Sequence, residues 1–179
     1  MFEYEHIGLR PIEREDVEFL RIMHNDWSTL QNLTDTTLIN EIQQEKWFTS
    51  ICSSTSSLRL AVVDIAGTHS VKEVIGCVRL DHIDYRNRSI QVGGDIVANC
   101  RGRGFGSLMF KACLKYVFDV MNMRRAYLSV LETNEIAKNM YLKNGFVEEG
   151  RQVQAIFRNG LYYDYINMYL LVDKYRESK

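Results

Sequence analysis

The chain has 179 residues and a formal net charge of −1, with hydrophobic residues at 46% and charged residues at 25%. This composition is ordinary for one soluble globular domain covering residues 1–179. A net charge near zero argues against a nucleic-acid partner bound by phosphate neutralisation. Because no apolar run reaches transmembrane length and the first residues do not read as a secretion signal, we expect a cytoplasmic protein with no membrane partner.

The cysteines predict neither a metal site nor a disulfide framework. None of the four lies in a C-x-x-C pair. We therefore expect reduced cysteines that serve packing, and no bound metal. The four are Cys52, Cys77, Cys100 and Cys113.

The first part of the chain is predicted to hold a short strand and two helices. Ile7–Pro11 is extended, and Glu13–Asn25 is a helix because its start is acidic and its apolar residues recur at helical spacing. Residues 26–40 are rich in Ser, Thr, Asn and Asp, which predicts irregular structure. A second helix is predicted from Asn40 to Ile51.

Three strands are predicted next. Leu58–Asp64 and Val71–Asp81 are rich in Val, Leu and Ile and flank a connection containing Gly67, so they predict a hairpin. A charged loop at residues 84–88 leads into a third strand, Ser89–Val97. Helices and strands alternate irregularly after this point, and the sequence predicts these elements in order: the helix Ser107–Met121, the strand Arg125–Leu131, the helix Asn134–Asn144, and the strands Phe146–Phe157 and Leu161–Tyr169 joined by a turn at Arg158-Asn159-Gly160.

This element order predicts a mixed α/β (α+β) fold, in which one mixed sheet carries helices on both faces. Neither regular βα alternation nor an all-antiparallel run accounts for it. The seven predicted strands belong to a single domain, since no linker or repeat separates them.

A glycine-rich turn between the strand Ser89–Val97 and the helix that follows predicts an anion site. The turn carries Gly102, Gly104 and Gly106, which let backbone N–H groups approach a ligand without a Cβ in the way. The helix start adds unpaired N–H donors and the positive end of a dipole, which favour phosphate. The spacing is not that of a dinucleotide-binding or Walker A loop, because Ser107 follows the last of these glycines.

Two motifs resemble those of the GNAT superfamily of N-acetyltransferases. Arg101-x-x-Gly104-x-Gly106 resembles the Q/R-x-x-G-x-G/A pyrophosphate loop that holds acetyl-coenzyme A in that family. The family's second signature, N-x-x-A-x-x-x-Y-x-x-x-G-F, is matched 28 residues after Gly106 by Asn134, Ala137, Tyr141, Gly145 and Phe146. The chain also resembles one branch of that family, which contains the ribosomal-protein and spermidine N-acetyltransferases and is close to several amino-sugar acetyltransferases. The residues that carry this resemblance are Arg10-Pro11, Glu15-Asp16, Ile75-Gly76, Gly160, Asp164 and Met168.

The resemblance implies acetyl-CoA as co-substrate, a mostly antiparallel sheet of about seven strands, and a general-acid role for Tyr141 toward the departing thiolate. It also implies that backbone N–H groups near Ile96–Val97 stabilise the oxyanion. From the residues alone, Asn134 is at least a helix cap, and Tyr141 lies two helical turns further on the same face. The resemblance implies these cofactor-binding residues: Ile96, Val97, Arg101, Gly102, Arg103, Gly104, Phe105, Gly106, Ser107, Asn134 and Tyr141.

The general base is the point where the sequence departs from the family pattern. Many relatives carry Glu where this chain has Gln91, and glutamine cannot accept a proton. Asp95 lies on the same strand face as Gln91, and His82 has a suitable unperturbed pKa, so both are candidate bases. Asp81 and Asp84 lie close to His82, and a water relay without a dedicated base is the alternative.

The acceptor is expected to bind between the N-terminal helical region and the last hairpin. Between His24 and Trp47 four carboxylates face one lysine, and an acidic wall of this kind favours a cationic amine. Three hypotheses stay open: an N-acetyltransferase for a polyamine or amino sugar, an Nα-acetyltransferase for a protein terminus, and a non-catalytic acyl-CoA-binding domain. Relatives imply a homodimer. The carboxylates are Asp26, Asp35, Glu41 and Glu45, and the lysine is Lys46.

Overall fold

The computed structural model describes residues 1–66 and 73–177. Within them, the strands are β1 Phe2–Tyr4, β2 Ile7–Pro11, β3 Leu58–Asp64, β4 Val74–Asp84, β5 Ser89–Ile96, β6 Arg125–Leu131, β7 Val147–Arg158 and β8 Leu161–Leu171. They form one eight-stranded sheet in the order β1-β2-β3-β4-β5-β6-β8-β7. All neighbouring strands pair antiparallel except β5 and β6, which are parallel. The predicted mixed, mostly antiparallel sheet is confirmed, with β1 as an additional strand.

The helices are α1 Val17–Asn25, α2 Trp27–Leu30, α3 Glu41–Cys52, α4 Phe105–Lys115, α5 Glu135–Lys143 and α6 Val172–Glu177. On one face of the sheet, Leu20 and Met23 of α1 pack in a cluster with Ala61 and Cys77. On the other face, α4 places its buried side chains, such as Phe110, in the main core. Helices therefore cover both faces, as predicted.

Local signals account for where these helices begin. Asn40 caps α3, accepting from Gln43 N at 2.9 Å, and Asn134 caps α5, accepting from Ala137 N at 3.1 Å. α4 follows Gly104, whose φ of 87° lies in the left-handed region that favours glycine. The predicted helix 107–121 begins two residues earlier than expected, and its last turn, at residues 116–120, is π-helical.

Several boundaries differ from the predictions. The segment expected to be irregular contains α2, and β4 continues to Asp84 through a register shift after Asp81. Within that shift His82 adopts a φ of 48°. β1 and α6 are short terminal elements that were not predicted. The expected start of β4 at Val71 and the connection containing Gly67 lie outside the described residues.

The hairpin between β7 and β8 was predicted correctly. Asn159 and Gly160 have φ values of 51° and 83°, so both central residues are left-handed. Such a turn matches the right-handed twist of the two strands and favours Asn-Gly. The long hairpin reaches back to the N-terminal helical region, where Arg158 contacts residues that follow α2.

The parallel pair β5–β6 is the feature that positions the site. Pairing covers Ser89 to Gln91 on β5 and Arg125 to Tyr127 on β6 and then stops, although both strands continue. The strands therefore part within the sheet. No helix in the described part of the chain is long and apolar enough to cross a lipid bilayer.

Candidate functional site

A cavity of about 890 Å³ occupies the region where β5 and β6 part. Gly106 and Met109 of α4 line it on one side of the sheet, and His24 of α1 with Trp47 of α3 line it on the other. Tyr141 on α5 also contributes to the wall. A single cavity is thus reached from both faces of the sheet, and it holds many of the residues that the sequence singled out.

The glycine turn before α4 has the geometry of an anion site. Gly102 and Gly104 have φ values of 74° and 87°, and a Cβ built on either residue or on Gly106 would meet no atom within 4 Å. The first bond inside α4 runs from Leu108 N to Gly104 O at 3.1 Å, so the preceding N–H groups have no intrahelical acceptor. The open side of the turn and the amides that lack an intrahelical acceptor fit a diphosphate.

Arg101 points inward rather than out of this turn. Its Nε donates to Ile96 O at 2.8 Å, and its Nη1 donates to Ser28 Oγ at 2.8 Å and to Ser28 O at 3.1 Å. Its Nη2 also donates to Thr29 Oγ1. The arginine therefore connects the glycine turn to α2 by hydrogen bonds, a role that the spacing of the motif residues could not predict. The guanidinium of Arg103 instead lies 5.3 Å from the centre of the Phe105 ring.

The backbone of β5 supplies N–H donors to the cavity, but not at Val97. Val97 N donates to Ile75 O at 2.9 Å, so its amide is engaged by the neighbouring strand. Since main-chain groups alternate along a strand, the N–H groups of Gly94 and Ile96 face the opening between β5 and β6. Of the two residues where oxyanion donors were expected, Val97 has its N–H bonded within the sheet, and Ile96 remains a candidate together with Gly94.

Gly94 leaves space for the packing between β5 and α4. A Cβ added there would lie 2.9 Å from Met109 Cε and 3.0 Å from Cys77 O. The first atom is the end of a flexible side chain that can move aside, whereas the second is main chain and lies closer than most Cβ contacts. Glycine is therefore favoured at this position, since a larger residue would press on β4 and α4.

Tyr141 lies in an aromatic cluster beside the cavity. Its ring centre is 4.9 Å from that of Phe110 and 6.0 Å from that of Phe146. Burial raises the pKa of Tyr141 to about 12, and the negative charge of Asp95 adds to the rise while Arg79 opposes it. The phenol is therefore protonated at neutral pH, and its hydroxyl has no hydrogen-bond partner in the described part of the chain.

Asp95 does line the cavity, but it is paired with Arg79 across the β4–β5 ladder. Burial alone would lower the pKa of Arg79, but the adjacent Asp95 carboxylate raises it, so the guanidinium stays charged. The carboxylate of Asp95 is therefore already engaged by a cation at the cavity wall.

The other candidate bases differ in their access to the cavity. His82 is exposed and does not line it, and Asp84 accepts two hydrogen bonds from Asn87, at 2.8 and 2.7 Å, that close a turn. Asp81 lines the cavity but accepts from Arg59 Nη1 at 2.8 Å. Gln91 also lines the wall.

His24 is a lining residue that sequence reasoning did not single out as a candidate. Its Nε2 lies 3.1 Å from Thr37 O, so the imidazole contacts the segment between α2 and α3. Only its position in the fold reveals this, because no spacing relates it to the glycine turn or to Tyr141.

The predicted acidic wall is largely wrong. Of the four carboxylates between His24 and Trp47, only Asp35 lines the cavity. Asp26 caps α2 by accepting from Ser28 N at 2.9 Å, and Glu45 pairs with Arg14 at 2.8 Å. Other carboxylates of the wall come from later strands and from α5: Asp81, Asp95 and Glu135.

Cys77 is the cysteine nearest the chemistry, because it lines the cavity. Burial raises the pKa of this thiol to about 12, so little thiolate forms at neutral pH. Its chemistry therefore argues against an acetyl-cysteine intermediate and favours direct transfer to the acceptor. The cysteines are free thiols, and no cluster of three or more metal-binding side chains occurs in the described residues.

Comparison with known proteins identifies the family. Residues 6–147 match the family model described as an acetyltransferase (GNAT) domain. The chain belongs to the GNAT acetyltransferases. It is an acetyl-CoA-dependent N-acetyltransferase, and the glycine turn and Tyr141 are the residues through which the resemblance was first visible.

The similarity to individual members extends over nearly the whole chain. The chain is 30% identical over 169 residues to a spermidine N(1)-acetyltransferase of Vibrio cholerae, covering 94% of this chain and 95% of that protein. It superposes on a crystal structure of a V. cholerae spermidine N-acetyltransferase in complex with CoA and spermine with a TM-score of 0.89, 29% identity and coverage of 97% and 99%. A dodecameric structure of the V. cholerae enzyme gives a TM-score of 0.81, 29% identity and coverage of 98% and 99%.

Proposed function

We propose that this GNAT enzyme acetylates the primary amine of a small molecule bound on the α1–α3 side of the cavity. The observation that supports this most directly is the cavity itself, which is lined by Gly106 at the end of the glycine turn and by Tyr141 and continues into a pocket walled by α1, α3 and β8. Acetyl-CoA supplies the activated acetyl group. The amides at residues 102–107 bind its diphosphate, and the N–H groups of Gly94 and Ile96 stabilise the oxyanion.

In this proposal Tyr141 donates a hydrogen bond to the departing sulfur. A phenol with a pKa of about 12 is a weaker acid than an ordinary alkyl thiol, with a pKa of about 8.5. Complete proton transfer to the thiolate is uphill, so the hydroxyl acts mainly by stabilising negative charge on sulfur as the bond breaks. The aromatic packing around Tyr141 fixes the ring for this task.

The acceptor amine must lose a proton, because an alkyl amine with a pKa near 10 is about 99.9% protonated at pH 7. We assign Asp95 the task of holding this cationic group in place of part of its pairing with Arg79. The proton then leaves through water in the cavity. His82 has no part in the scheme, since it is exposed and outside the cavity wall.

Polyamines are the first candidate acceptors. The support comes from relatives named spermidine N-acetyltransferases, which match over 94% of the chain. Carboxylates distributed around the cavity provide sites for a second or third ammonium group, and three of them are Asp35, Asp81 and Glu135.

Amino sugars are the second candidate, and a specific observation favours them. Arg59 and Arg79 are directly opposite each other in the β3–β4 ladder and both line the cavity. Their charges offset those of Asp81 and Asp95, with which they pair. Nε and Nη2 of Arg79 have no hydrogen-bond partner among the described residues, and so this fork is open to an acceptor's hydroxyl, carboxylate or phosphate oxygen.

An Arg79→Gln variant distinguishes the two candidates. If the acceptor is a polyamine, removing the cation leaves Asp95 free to pair with an ammonium group, and the KM for spermidine should fall by about threefold, since both groups are still partly exposed. If the acceptor is an amino sugar that uses the arginine fork, its KM rises by about tenfold. The assay measures thiol release from acetyl-CoA with spermidine, spermine, amino sugars and ribosomal-protein N-terminal peptides. Arg59, which lies opposite Arg79 in the β3–β4 ladder, is unchanged in this variant, so any effect belongs to Arg79 alone.

The same panel tests the remaining alternatives. Turnover with peptides alone would replace the proposal with Nα-acetylation of proteins. Retained CoA binding without thiol release in the presence of any acceptor would favour a non-catalytic acyl-CoA-binding domain.

We further propose that the protein is cytoplasmic and that it self-associates. The exposed side chains of β7 and its hairpin, including Val153 and Phe157, offer an apolar surface for self-association. Light scattering measures the oligomeric state.

A further inference from the structure

The segment of residues 31–40, here called the acceptor loop, forms one wall of the pocket without helix or strand of its own. It connects the end of α2 to the start of α3, and most of its side chains are exposed. Because no strand ladder pairs its backbone, its carbonyl groups depend on side chains or water for hydrogen bonds. Its cavity-lining residues are Asn32, Leu33, Thr34, Asp35 and Ile39.

One guanidinium binds three carbonyls of this loop. Arg158, the last residue of β7, donates from Nε to Gln31 O at 3.3 Å and from Nη2 to Thr34 O at 3.0 Å and to Leu33 O. Its Nη1 donates to Phe157 O at 2.6 Å, which fixes the side chain against its own strand. The planar fork of arginine can make all these bonds at once, whereas the ammonium of lysine is a single point.

The hydrogen bonds that Arg158 donates go to backbone carbonyl oxygens and not to carboxylates. In the part of the chain that the structure describes, no carboxylate lies within salt-bridge distance of it. Its positive charge does act on Asp35, whose pKa is lowered mainly by hydrogen bonds from Thr37, with smaller effects of His24 and Arg158. The guanidinium thus adds a charge-assisted set of bonds that reaches the loop from the last hairpin.

Further side-chain contacts hold the loop at its middle and far end. Tyr165 of β8 makes a hydroxyl–hydroxyl bond of 2.8 Å with Thr34. Asn25 of α1 donates to Ile39 O at 2.8 Å and accepts from Ile39 N at 3.0 Å. Arg158 and Tyr165 therefore couple the loop to the last hairpin, while Asn25 couples it to α1.

We propose that Arg158 is a positioning residue that sets acceptor affinity by holding the acceptor loop in its binding conformation. It does not line the cavity and touches neither reacting group. A loop that has lost these three bonds samples more conformations, and the acceptor must then order it on binding. The inference rests on the proposed location of the acceptor pocket.

The test compares Arg158→Ala with Arg151→Ala, its matched control. Arg151 lies on the same strand and pairs with Glu148 at 2.9 Å and Asp164 at 3.3 Å, away from the loop. Amide hydrogen exchange in residues 31–40 should become faster in Arg158→Ala and stay unchanged in Arg151→Ala. With spermidine, or the amino sugar that is turned over, the acceptor KM should rise about tenfold while the KM for acetyl-CoA stays within about twofold.

Arg158→Lys sharpens the test, because it keeps the charge but cannot bridge three carbonyls. Its acceptor KM should fall between those of the native chain and Arg158→Ala. Unchanged exchange in the loop, or an equal rise in the KM of both substrates, would overturn the proposal. If the native chain turns over no acceptor, the proposed function fails, and the exchange comparison still decides whether Arg158 holds the loop.

Discussion

The two binding regions of this enzyme are built by different means. The glycine turn before α4 presents its own backbone amides, and its shape follows from glycines at left-handed φ values and from the helix start. The acceptor loop has no such backbone order and is held by distant side chains, chiefly Arg158 and Asn25. A site made of backbone can serve one shared ligand in many proteins, whereas a site made of side-chain contacts can change its ligand by single substitutions.

The largest effect is expected where the two regions meet, at Tyr141. Tyr141→Phe removes the hydroxyl to which we assign stabilisation of the thiolate but keeps the ring packed against Phe110 and Phe146. We expect kcat to fall by about 100-fold with the Kd for CoA unchanged, because one catalytic hydrogen bond is lost. Steady-state kinetics and calorimetric CoA titration measure the two quantities. A kcat within threefold of the native value would mean that a group other than Tyr141 stabilises the departing thiolate.

A smaller effect, confined to the cofactor region, is expected for Gly104→Ala. The φ of 87° at Gly104 disfavours alanine, although a Cβ would meet no neighbouring atom. The variant should bind acetyl-CoA about tenfold more weakly, since the turn must be strained to keep its amides in place. The acceptor KM should not move.

Gly150→Ala is the control for that substitution. Gly150 also has open space around a built Cβ, but its φ is not in the left-handed region. Calorimetry should give the same acetyl-CoA affinity for this variant as for the native chain. Equal losses in both variants would mean that backbone conformation does not organise the cofactor region.

The smallest effect is expected within the acceptor loop, for Asp35→Asn. Asp35 accepts from Thr37 N at 2.9 Å and from Thr37 Oγ1 at 2.6 Å, and these bonds lower its pKa. A carboxyl whose pKa is lower in the folded state stabilises the folded protein at pH values above its unfolded-state pKa of about 3.9. This stabilisation is lost as the pH falls through the folded-state pKa. We expect Asp35→Asn to raise the acceptor KM two- to threefold. In the native chain, the lowered pKa of Asp35 means that its titration should produce no step in a plot of acceptor KM against pH between pH 6 and 9. Steady-state kinetics measures both.

The parts of the fold that depend on local chemistry were predicted from the sequence. The asparagine caps, the Asn159-Gly160 turn and the glycine turn each involve residues close together in the chain, so spacing alone indicates them. The mixed sheet with helices on both faces followed from the order of these elements. Short terminal pieces such as β1 and α6 escaped prediction, because their formation depends on the sheet and core that they join.

The acceptor side could not be predicted, because its contacts join residues far apart in sequence. Arg101 reaches Ser28 and Thr29, and the Arg79–Asp95 pair depends on the register between β4 and β5. Composition near α3 indicated an acidic wall, yet capping and surface pairing engage two of the four carboxylates, and only Asp35 lines the cavity. Free N–H groups were expected near Ile96–Val97, and the pairing of β5 with β4 decides which of them are free, because Val97 N donates to Ile75 O.

The parting of β5 and β6 after Gln91 and Tyr127 has a consequence for the order of events during turnover. The opening passes through the sheet, with α4 at one end and α1 with α3 at the other. Each substrate can therefore dock through its own end, and neither has to depart before the other arrives. We therefore expect a ternary-complex mechanism, in which CoA leaves by the end through which it came while the acetylated product leaves by the opposite one.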